Sequence, residues 1–246
     1  MKILVCVSKT PETTAKISFD ADNKEFNGAG VTFIMNPYDE WYALVRALDL
    51  AKATNGTVTL ICVGGVDVEP VMRKGLALDA NDGVRIDAQP VSSMFTAFQI
   101  AEHASANKYD IIFTGKETID YNGSEVGAMI AEYMNVPFIS YASKLEMNGN
   151  TATLERDIEG GVEVVELETP FVVSASKGMA EQRIASMMGI MKAKSKPIQV
   201  LAPQPFNNPV HVALFTLPKA KAGVKYVSPD NMDELVRLLH EEAKVI

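Results

Sequence analysis

Short aliphatic runs alternate with helical segments along the first half of the chain, and this alternation constrains the fold more than any other feature. Each run is apolar almost throughout, which is typical of strands buried on both faces of a parallel sheet. The runs lie at residues 2–7, 31–35, 57–63, 83–87 and 109–115, with helical patterns between them. This order predicts an α/β fold with a doubly wound, mostly parallel sheet.

Residues 138–175 have a different pattern, which predicts an antiparallel hairpin extension of the sheet edge. Asn148 followed by Gly149 is a hairpin signal, and residues 159–161 form a second turn signal. The run at 198–201 predicts the last strand. We therefore expect a single α/β domain that ends near residue 201.

Residues 202–246 predict a C-terminal arm rather than a second domain. The segment is loop-like except for helical spacing at 231–243, and its apolar residues are too few for a core of their own. Such an arm has to pack on the main domain or on another chain.

Charge and apolar content argue against several classes of partner. With a formal net charge of −8 and no dense run of Lys or Arg, the chain does not suit nucleic acid. No apolar run approaches the roughly 18 residues of a membrane-spanning helix, so membrane insertion is not expected.

The apolar stretch in MKILVCVSKTP is too short for a signal peptide, and Cys6 and Cys62 lie in aliphatic runs typical of reduced, buried thiols. A cytoplasmic location is therefore expected.

The stretch GKETIDYNGSEVG at 115–127 predicts either a capped helix start or a phosphate site. Asn122 and Glu125 have the spacing of a capping box. The glycines and the amides after them also open a helix at the carboxyl end of a strand, where open α/β sheets bind nucleotides. A Walker-type loop is excluded because Asp110 stands at its first glycine position. A calcium loop from Asp120 lacks the required glycine and the final glutamate.

Two other strand ends carry comparable signals. The residues at 36–40 predict a helix with Asn36 as its N-cap and proline at its first position. A glycine pair follows the strand at 57–63. Convergence of three strand-end loops on one crevice predicts a nucleotide site better than any single loop. The histidines are scattered and the pair Asp39 and Glu40 is interpreted as solvated, so we expect binding, with no catalytic or metal-binding residues.

Methionines are concentrated at 179–191, MAEQRIASMMGIM, and two interpretations remain open. Methionine usually packs in cores. The basic residues Arg183, Lys192 and Lys194 in and after this segment suit instead a flexible surface that adapts to acidic partners.

Five ordered motifs together resemble the β subunits of electron-transfer flavoproteins. They are MKILVCVSKTP at the start, MNPYDEWYALVRAL at 35–48, GKETIDYNGSEVG, RDIEGGVEVVELETPFVVSAS at 156–176 and QRIASMMGIMKAKSKPI at 182–198. The resemblance covers most of the chain, to about residue 201. It implies a Rossmann-like, adenine nucleotide alpha hydrolase-like domain over residues 1–201, with the arm at 202–246 packed on a partner α subunit.

The resemblance implies a heterodimer in which a larger α subunit carries the redox FAD. This chain would hold a second nucleotide, which is AMP in the common form and FAD in the electron-bifurcating form. The complex would carry electrons from acyl-CoA or related dehydrogenases, as in fatty acid β-oxidation, to a quinone oxidoreductase, and this chain would not itself be an enzyme. The implied nucleotide contacts are Cys6, Ser8, Asn36, Pro37, Tyr38, Asp39, Val63, Gly64, Asp120, Asn122, Gly123, Ser124, Glu125, Val126 and Gly127.

The same resemblance implies two docking features. A dehydrogenase-docking loop corresponds to residues 178–192, with Met187 as its apolar anchor. Glu163, in the GGVE turn, corresponds to a residue that contacts the mobile flavin domain of the α subunit. The implied docking residues are Glu163, Arg183, Met187, Met188 and Lys192.

The nucleotide loop departs from the family pattern at two positions. Asn122 replaces an acidic residue, and Glu125 replaces a glutamine and adds negative charge where a phosphate is expected. Val126 agrees with the bifurcating type, whereas the short chain and its tail agree with the AMP type, so we expect AMP. A stand-alone nucleotide-binding protein of the stress-response type would share the sheet and its loops. It would need neither the hairpin, nor the Met-rich segment, nor the arm.

Overall fold

The structure, a computed structural model, describes residues 1–221 and 223–246 and is built on a nine-stranded sheet. The strands in these residues are β1 (Lys2–Cys6), β2 (Lys9–Pro11), β3 (Phe33–Met35), β4 (Thr57–Val63), β5 (Asp82–Ile86), β6 (Ile111–Gly115), β7 (Phe138–Asn148), β8 (Thr151–Ile158), β9 (Gly161–Glu168), β10 (Phe171–Ala175) and β11 (Ile198–Leu201). The central sheet has the order β11-β5-β4-β1-β6-β10-β7-β8-β9. In this order, every pair of neighbouring strands from β11 through β7 is parallel.

Helices cover both faces of this sheet. They are α1 (Asp39–Thr54), α2 (Glu69–Leu76), α3 (Ser93–Asn107), α4 (Val126–Met134), α5 (Met187–Ala193) and α6 (Met232–Arg237), with a 3-10 turn at Val66–Val68 and a π-helical end at Leu238–Ala243. Helices α1, α2 and α5 contribute to one core cluster, and α3 and α4 contribute to the other. The prediction of a doubly wound α/β fold is confirmed. Over the described ranges, no helix has the length and apolar character to cross a bilayer.

Strand β1 lies between β4 and β6, and the chain changes faces at this point. Helix α1, which follows β1 and the short β3, packs on one face of the sheet, whereas α4, which follows β6, packs on the other. Where neighbouring strands lead to helices on opposite faces, a crevice opens outside their carboxyl ends. The fold therefore places the loops after β1 and β6 at the mouth of such a crevice.

The prediction that residues 31–35 belong to the main sheet is wrong. Only Phe33–Met35 is extended, and it pairs antiparallel with Lys9–Pro11 in a separate two-stranded ribbon. Strand β1 already pairs with β4 on one side and β6 on the other, so a further strand has no place beside it. The ribbon forms instead past the carboxyl end of β1.

The antiparallel extension is confirmed for β7, β8 and β9, which form two successive hairpins. Strand β10, which we expected in that extension, lies instead inside the parallel sheet between β6 and β7. Phe171–Ala175 is buried at every position. A strand without an exposed face belongs in the interior of a sheet, even where the strands before it in the chain form antiparallel hairpins.

The first part of the C-terminal arm is attached to α3 of this chain. The side-chain amide of Gln99 donates to the Gln204 carbonyl and accepts the Gln204 N–H, both at 2.7 Å. Phe206 packs against Phe98 with ring centroids 4.9 Å apart. The predicted helix near 231–243 is also present, as α6 and its π-helical continuation.

Candidate functional site

A buried carboxyl group joins the end of β1 to the start of α1. Glu40 is 5% exposed, its Oε2 accepts the Ser8 backbone N–H at 2.8 Å, and its Oε1 accepts the Ser8 hydroxyl at 2.5 Å. Burial raises the pKa of Glu40 to about 8, although the Ser8 hydrogen bonds act in the opposite direction. The interpretation of Glu40 as solvated is wrong, because the first turn of α1 packs against Gly115 at the end of β6.

A buried amide side chain connects three strand-end segments. Asn36 is fully buried, and its Nδ2 donates to the Glu117 carbonyl at 2.8 Å while its Oδ1 accepts the Ile119 N–H at 3.1 Å. The Asn36 backbone N–H donates to the Ser8 carbonyl at 3.1 Å. Asn36 therefore links the chain before α1 to the end of β1 and to the loop after β6.

Tyr38, and not Asn36, precedes the first residue of α1, so the predicted cap at Asn36 is wrong. The Asn36 side chain forms its hydrogen bonds instead with the loop between β6 and α4. Tyr38 has φ 64° and ψ −87°, and the Asp39 N–H donates to the Pro37 carbonyl at 3.0 Å. This is the rare and strained form of γ-turn. It leaves the Tyr38 side chain exposed at the carboxyl edge, and local strain of this kind clusters at ligand sites.

The loop between β6 and α4 is closed by its own backbone, and the predicted capping box is wrong. The Thr118 N–H donates to the Gly123 carbonyl at 3.0 Å, and Asn122 has φ 52°. Helix α4 begins at Val126, about one turn after Asn122, and Glu125 at its N-cap makes no side-chain cap hydrogen bond. The first backbone N–H groups of a helix have no partner within the helix. They remain available here for a ligand.

A buried hydroxyl group lies beneath the first turn of α4. Thr114 is 5% exposed, and its Oγ1 has no hydrogen-bond partner within the described part of the chain. A Cβ at Gly127 would lie 2.8 Å from Thr114 Oγ1 and 2.9 Å from Cε2 of Phe138. Glycine therefore allows α4 to approach the end of β6 closely. This contact brings the positive end of the helix dipole to the carboxyl edge of the sheet.

The loop after β4 is positioned by contacts from its neighbours. The Gly64 N–H donates to the Ile86 carbonyl at 3.0 Å, and the largely buried Arg85 donates to the Gly64 carbonyl at 3.0 Å. Lys9 of β2 forms an ion pair with Asp67 in the same loop. The segments after β1, β3, β4 and β6 are thus joined to one another at one edge of the sheet.

The predicted nucleotide contacts differ in exposure at this edge, and Pro37, Asp39, Gly123 and Val126 are partly exposed. Cys6 and Val63 are buried strand residues, and burial raises the pKa of the Cys6 thiol far above its usual value. The Ser8 hydroxyl is engaged by Glu40. The side chains that stand exposed are those of Tyr38, Asp120, Asn122, Ser124 and Glu125.

The Met-rich segment ends in a short helix, α5, whose methionines face solvent. Met187 is 79% exposed and Met188 is 65% exposed, so the core-packing interpretation is wrong for both. It holds for Met179, which is buried. A Cβ at the buried Gly189 would lie 2.3 Å from the Ala77 carbonyl oxygen, so this glycine lets α5 sit directly on the chain after α2.

Polar contacts anchor the segment before and after α5. The Trp41 indole N–H donates to the Arg183 carbonyl at 3.0 Å, and the Arg183 guanidinium pairs with Asp49 of α1 at 2.7 Å. Arg73 of α2 donates to the Ala193 carbonyl at 2.7 Å. The exposed methionines are therefore presented on an anchored support.

Glu163 lies far from this segment in the sheet. It belongs to β9, the edge strand, and pairs with Arg156 of β8. Helix α5 packs instead on α2, toward the edge formed by β5 and β11. The predicted docking residues therefore form two separate surfaces.

Comparison with known proteins agrees with this architecture. The family model described as "Electron transfer flavoprotein domain" matches residues 26–205. The chain belongs to the electron transfer flavoprotein family. It is 33% identical over 260 residues to the electron transfer flavoprotein subunit beta of Bacillus subtilis, with 100% of both chains covered. It is 31% identical over 255 residues to the mitochondrial subunit beta of Arabidopsis thaliana, again with 100% of both covered.

A third relative carries a different name. The acryloyl-CoA reductase electron transfer subunit gamma of Anaerotignum propionicum is 33% identical over 208 residues, which cover 82% of this chain and 77% of the relative. Membership in the electron transfer flavoprotein family makes the chain an electron-transfer protein that works with a flavin.

Sequence reasoning missed two side chains, Glu40 and Thr114, that are buried at the candidate site. Glu40 shares a helical face with Leu44 and Leu48 at i+4 and i+8, and that spacing was a signal for burial. Thr114 ends a run of apolar residues, and nothing in its neighbours along the chain indicates that its hydroxyl lies below α4. Only the close approach of α4 at Gly127 brings this hydroxyl under the helix.

Proposed function

We propose that this chain is the nucleotide-binding β subunit of a heterodimeric electron transfer flavoprotein and that its nucleotide is AMP. FAD bound by a larger α subunit would supply the redox chemistry. This chain would hold the nucleotide for its structural effect, pack the exposed part of its arm on the α subunit and present a docking surface to electron donors. It would contribute no catalytic residue of its own.

The observation that carries this proposal is the meeting of four strand-end segments at the edge of the sheet where α4 starts without a side-chain cap. Free N–H groups and the positive end of a helix dipole attract phosphate. The close approach of Gly127 to the buried Thr114 holds this helix start at the carboxyl end of β6. The features present therefore fit the phosphate of a nucleotide.

The negative side chains nearby do not prevent this binding. Asp120 and Glu125 are exposed, where water and salt screen their charge. The raised pKa of Glu40 keeps much of this buried carboxyl group protonated at neutral pH, so it adds little negative charge behind the phosphate.

The nucleotide content of the purified complex tests the proposal. We expect the chain, coexpressed and purified with its α subunit, to release equal amounts of AMP and FAD on acid denaturation, measured by chromatography. Two FAD and no AMP for each heterodimer would contradict the choice of AMP and favour the bifurcating type. A stable homodimer without flavin would contradict the electron-carrier function itself and favour a stand-alone nucleotide-binding protein.

We also propose that α5 docks the electron-donating dehydrogenases and that Met187 is the apolar anchor. Its support is the exposure of Met187 on a helix fixed from both sides by Arg183 and Arg73. The name of the A. propionicum relative supports partner enzymes that act on acyl-CoA compounds. A quinone oxidoreductase is the proposed acceptor.

Met187→Ala is expected to raise the KM of an acyl-CoA dehydrogenase for the heterodimer by about tenfold or more, because full burial of a methionine contributes about 1.5–3 kcal/mol. The rate of electron transfer against heterodimer concentration measures this effect. The control is Ile17→Ala, which truncates an exposed apolar side chain between β2 and β3, outside both α5 and the arm. Nucleotide content should be unchanged in both variants, and equal KM values for the two would exclude docking through Met187.

A further inference from the structure

We infer that Phe215 in the C-terminal arm is a positioning residue for the loop between β6 and α4. It closes an aromatic clasp, formed by Phe19, Phe215 and Tyr121, that holds the tip of this loop against the segment between β2 and β3. The consequence for nucleotide retention rests on the proposed function, whereas the clasp itself rests on the contacts alone.

Phe215 contacts two aromatic rings and is fixed there by its backbone. Its ring stacks on Phe19 with centroids 4.8 Å apart and an angle of 9° between the planes. It also lies 6.5 Å from the Tyr121 ring at 42°. Both distances are within the range of attractive aromatic pairs. The Phe215 N–H donates to the Asn23 carbonyl at 2.7 Å, which sets the position of the ring.

The segment that receives Phe215 is itself tied to the carboxyl edge. Phe19 forms a β-bridge with Phe26, and Phe26 meets Phe33 edge to face at 6.3 Å. The Lys9 ammonium lies 4.2 Å above the Phe33 ring and also pairs with Asp67 after β4. A continuous set of contacts thus runs from the loop after β4 to the arm.

The tip of the nucleotide loop needs support of this kind. Asn36 holds the loop at Glu117 and Ile119, and α4 holds its other end. Tyr121 projects between these points, with 67% of its surface exposed. Phe215 supports the tip from the side of the arm, so the position of the arm is coupled to the order of the loop.

Hydrogen exchange and nucleotide release on the purified heterodimer test this inference in the Phe215→Ala variant. We expect faster exchange of the backbone amides in residues 116–125 and a nucleotide release rate raised about threefold to tenfold, as expected for loss of an aromatic pair. Phe215→Tyr keeps the ring and should restore both values. The matched control is Phe206→Ala, which removes the other arm ring, packed on Phe98 of α3.

The two measurements separate the clasp from the proposed function. Faster exchange at 116–125 in Phe215→Ala, but not in Phe206→Ala, supports the clasp. This conclusion holds even if no variant contains nucleotide. Absence of nucleotide would contradict only the proposed nucleotide. Unchanged exchange at 116–125 in Phe215→Ala overturns the clasp whatever the nucleotide content. Equal effects of the two substitutions also overturn it, because they would indicate a general loosening of the arm.

Discussion

Replacement of Gly127 by alanine is expected to lower the free energy of unfolding by about 1–3 kcal/mol, the usual cost of overpacking. It is also expected to weaken nucleotide binding by about tenfold or more, since an anion at a helix N-terminus gains up to about 2 kcal/mol. The new Cβ would lie 2.8 Å from Thr114 Oγ1 and 2.9 Å from Phe138 Cε2, so α4 has to move away from β6. Helix propensity alone predicts the opposite sign, because alanine stabilises a helix by about 1 kcal/mol relative to glycine. Urea unfolding and equilibrium AMP titration measure the two effects.

The matched control is Gly123→Ala in the same loop. A Cβ at Gly123 would meet only Thr118 Oγ1 at 3.7 Å, an ordinary contact, and Gly123 does not have a positive φ. We expect its free energy of unfolding to stay within about 0.5 kcal/mol of the original. If Gly127→Ala were as stable as Gly123→Ala and bound AMP equally well, the close approach of α4 to Thr114 would not matter for the site.

Replacement of Asn36 by alanine is expected to cost about 2–4 kcal/mol of stability, because it leaves the Glu117 carbonyl and the Ile119 N–H without their buried partner. The loop between β6 and α4 should then lose its fixed position relative to the end of β1. AMP affinity should fall by about tenfold or more, since even a small displacement of positioning groups is costly. Unfolding midpoints and AMP titration test this expectation.

Asn81→Ala is the appropriate comparison for Asn36→Ala. Its Oδ1 also accepts a backbone N–H, from Val58 at 2.8 Å, but it is exposed and lies where β4 begins. Water can replace that hydrogen bond, so we expect a loss of about 1 kcal/mol and an unchanged AMP affinity. A similar loss of affinity in both variants would mean that destabilisation, and not loop position, controls binding.

Much of the fold follows from local patterns in the chain. The aliphatic runs at β1, β4 and β6 and the helical spacing between them predict parallel strands and covering helices without knowledge of distant contacts. The hairpin of β7 and β8 follows from Asn148 and Gly149 in the same way. Strands β3 and β10 were assigned to wrong places, because an extended segment does not itself specify its neighbour.

The convergence of the strand-end loops at one edge was predicted, but for partly wrong local reasons. Asn36 and Asn122 were interpreted as helix caps because short polar side chains before a helix usually have that role. In the structure, Asn36 bonds a loop that lies 81 and 83 residues away along the chain, and Asn122 lies in a left-handed turn before α4. Glu40 was interpreted as solvated because adjacent acidic residues point in different directions on a helix and suggest no shared site.

The sequence by itself determined the class of fold, the positions of most helices and strands along the chain, and the family to which the protein belongs. The tertiary structure decided which strand stands beside which, which polar side chains are buried, and how closely α4 approaches Thr114. Periodicity and turn residues act over a few positions, so they can be read along the chain. The contacts of Asn36, Glu40 and Gly127 join residues that are adjacent only after folding, and their energies come from burial and close packing that no local pattern records.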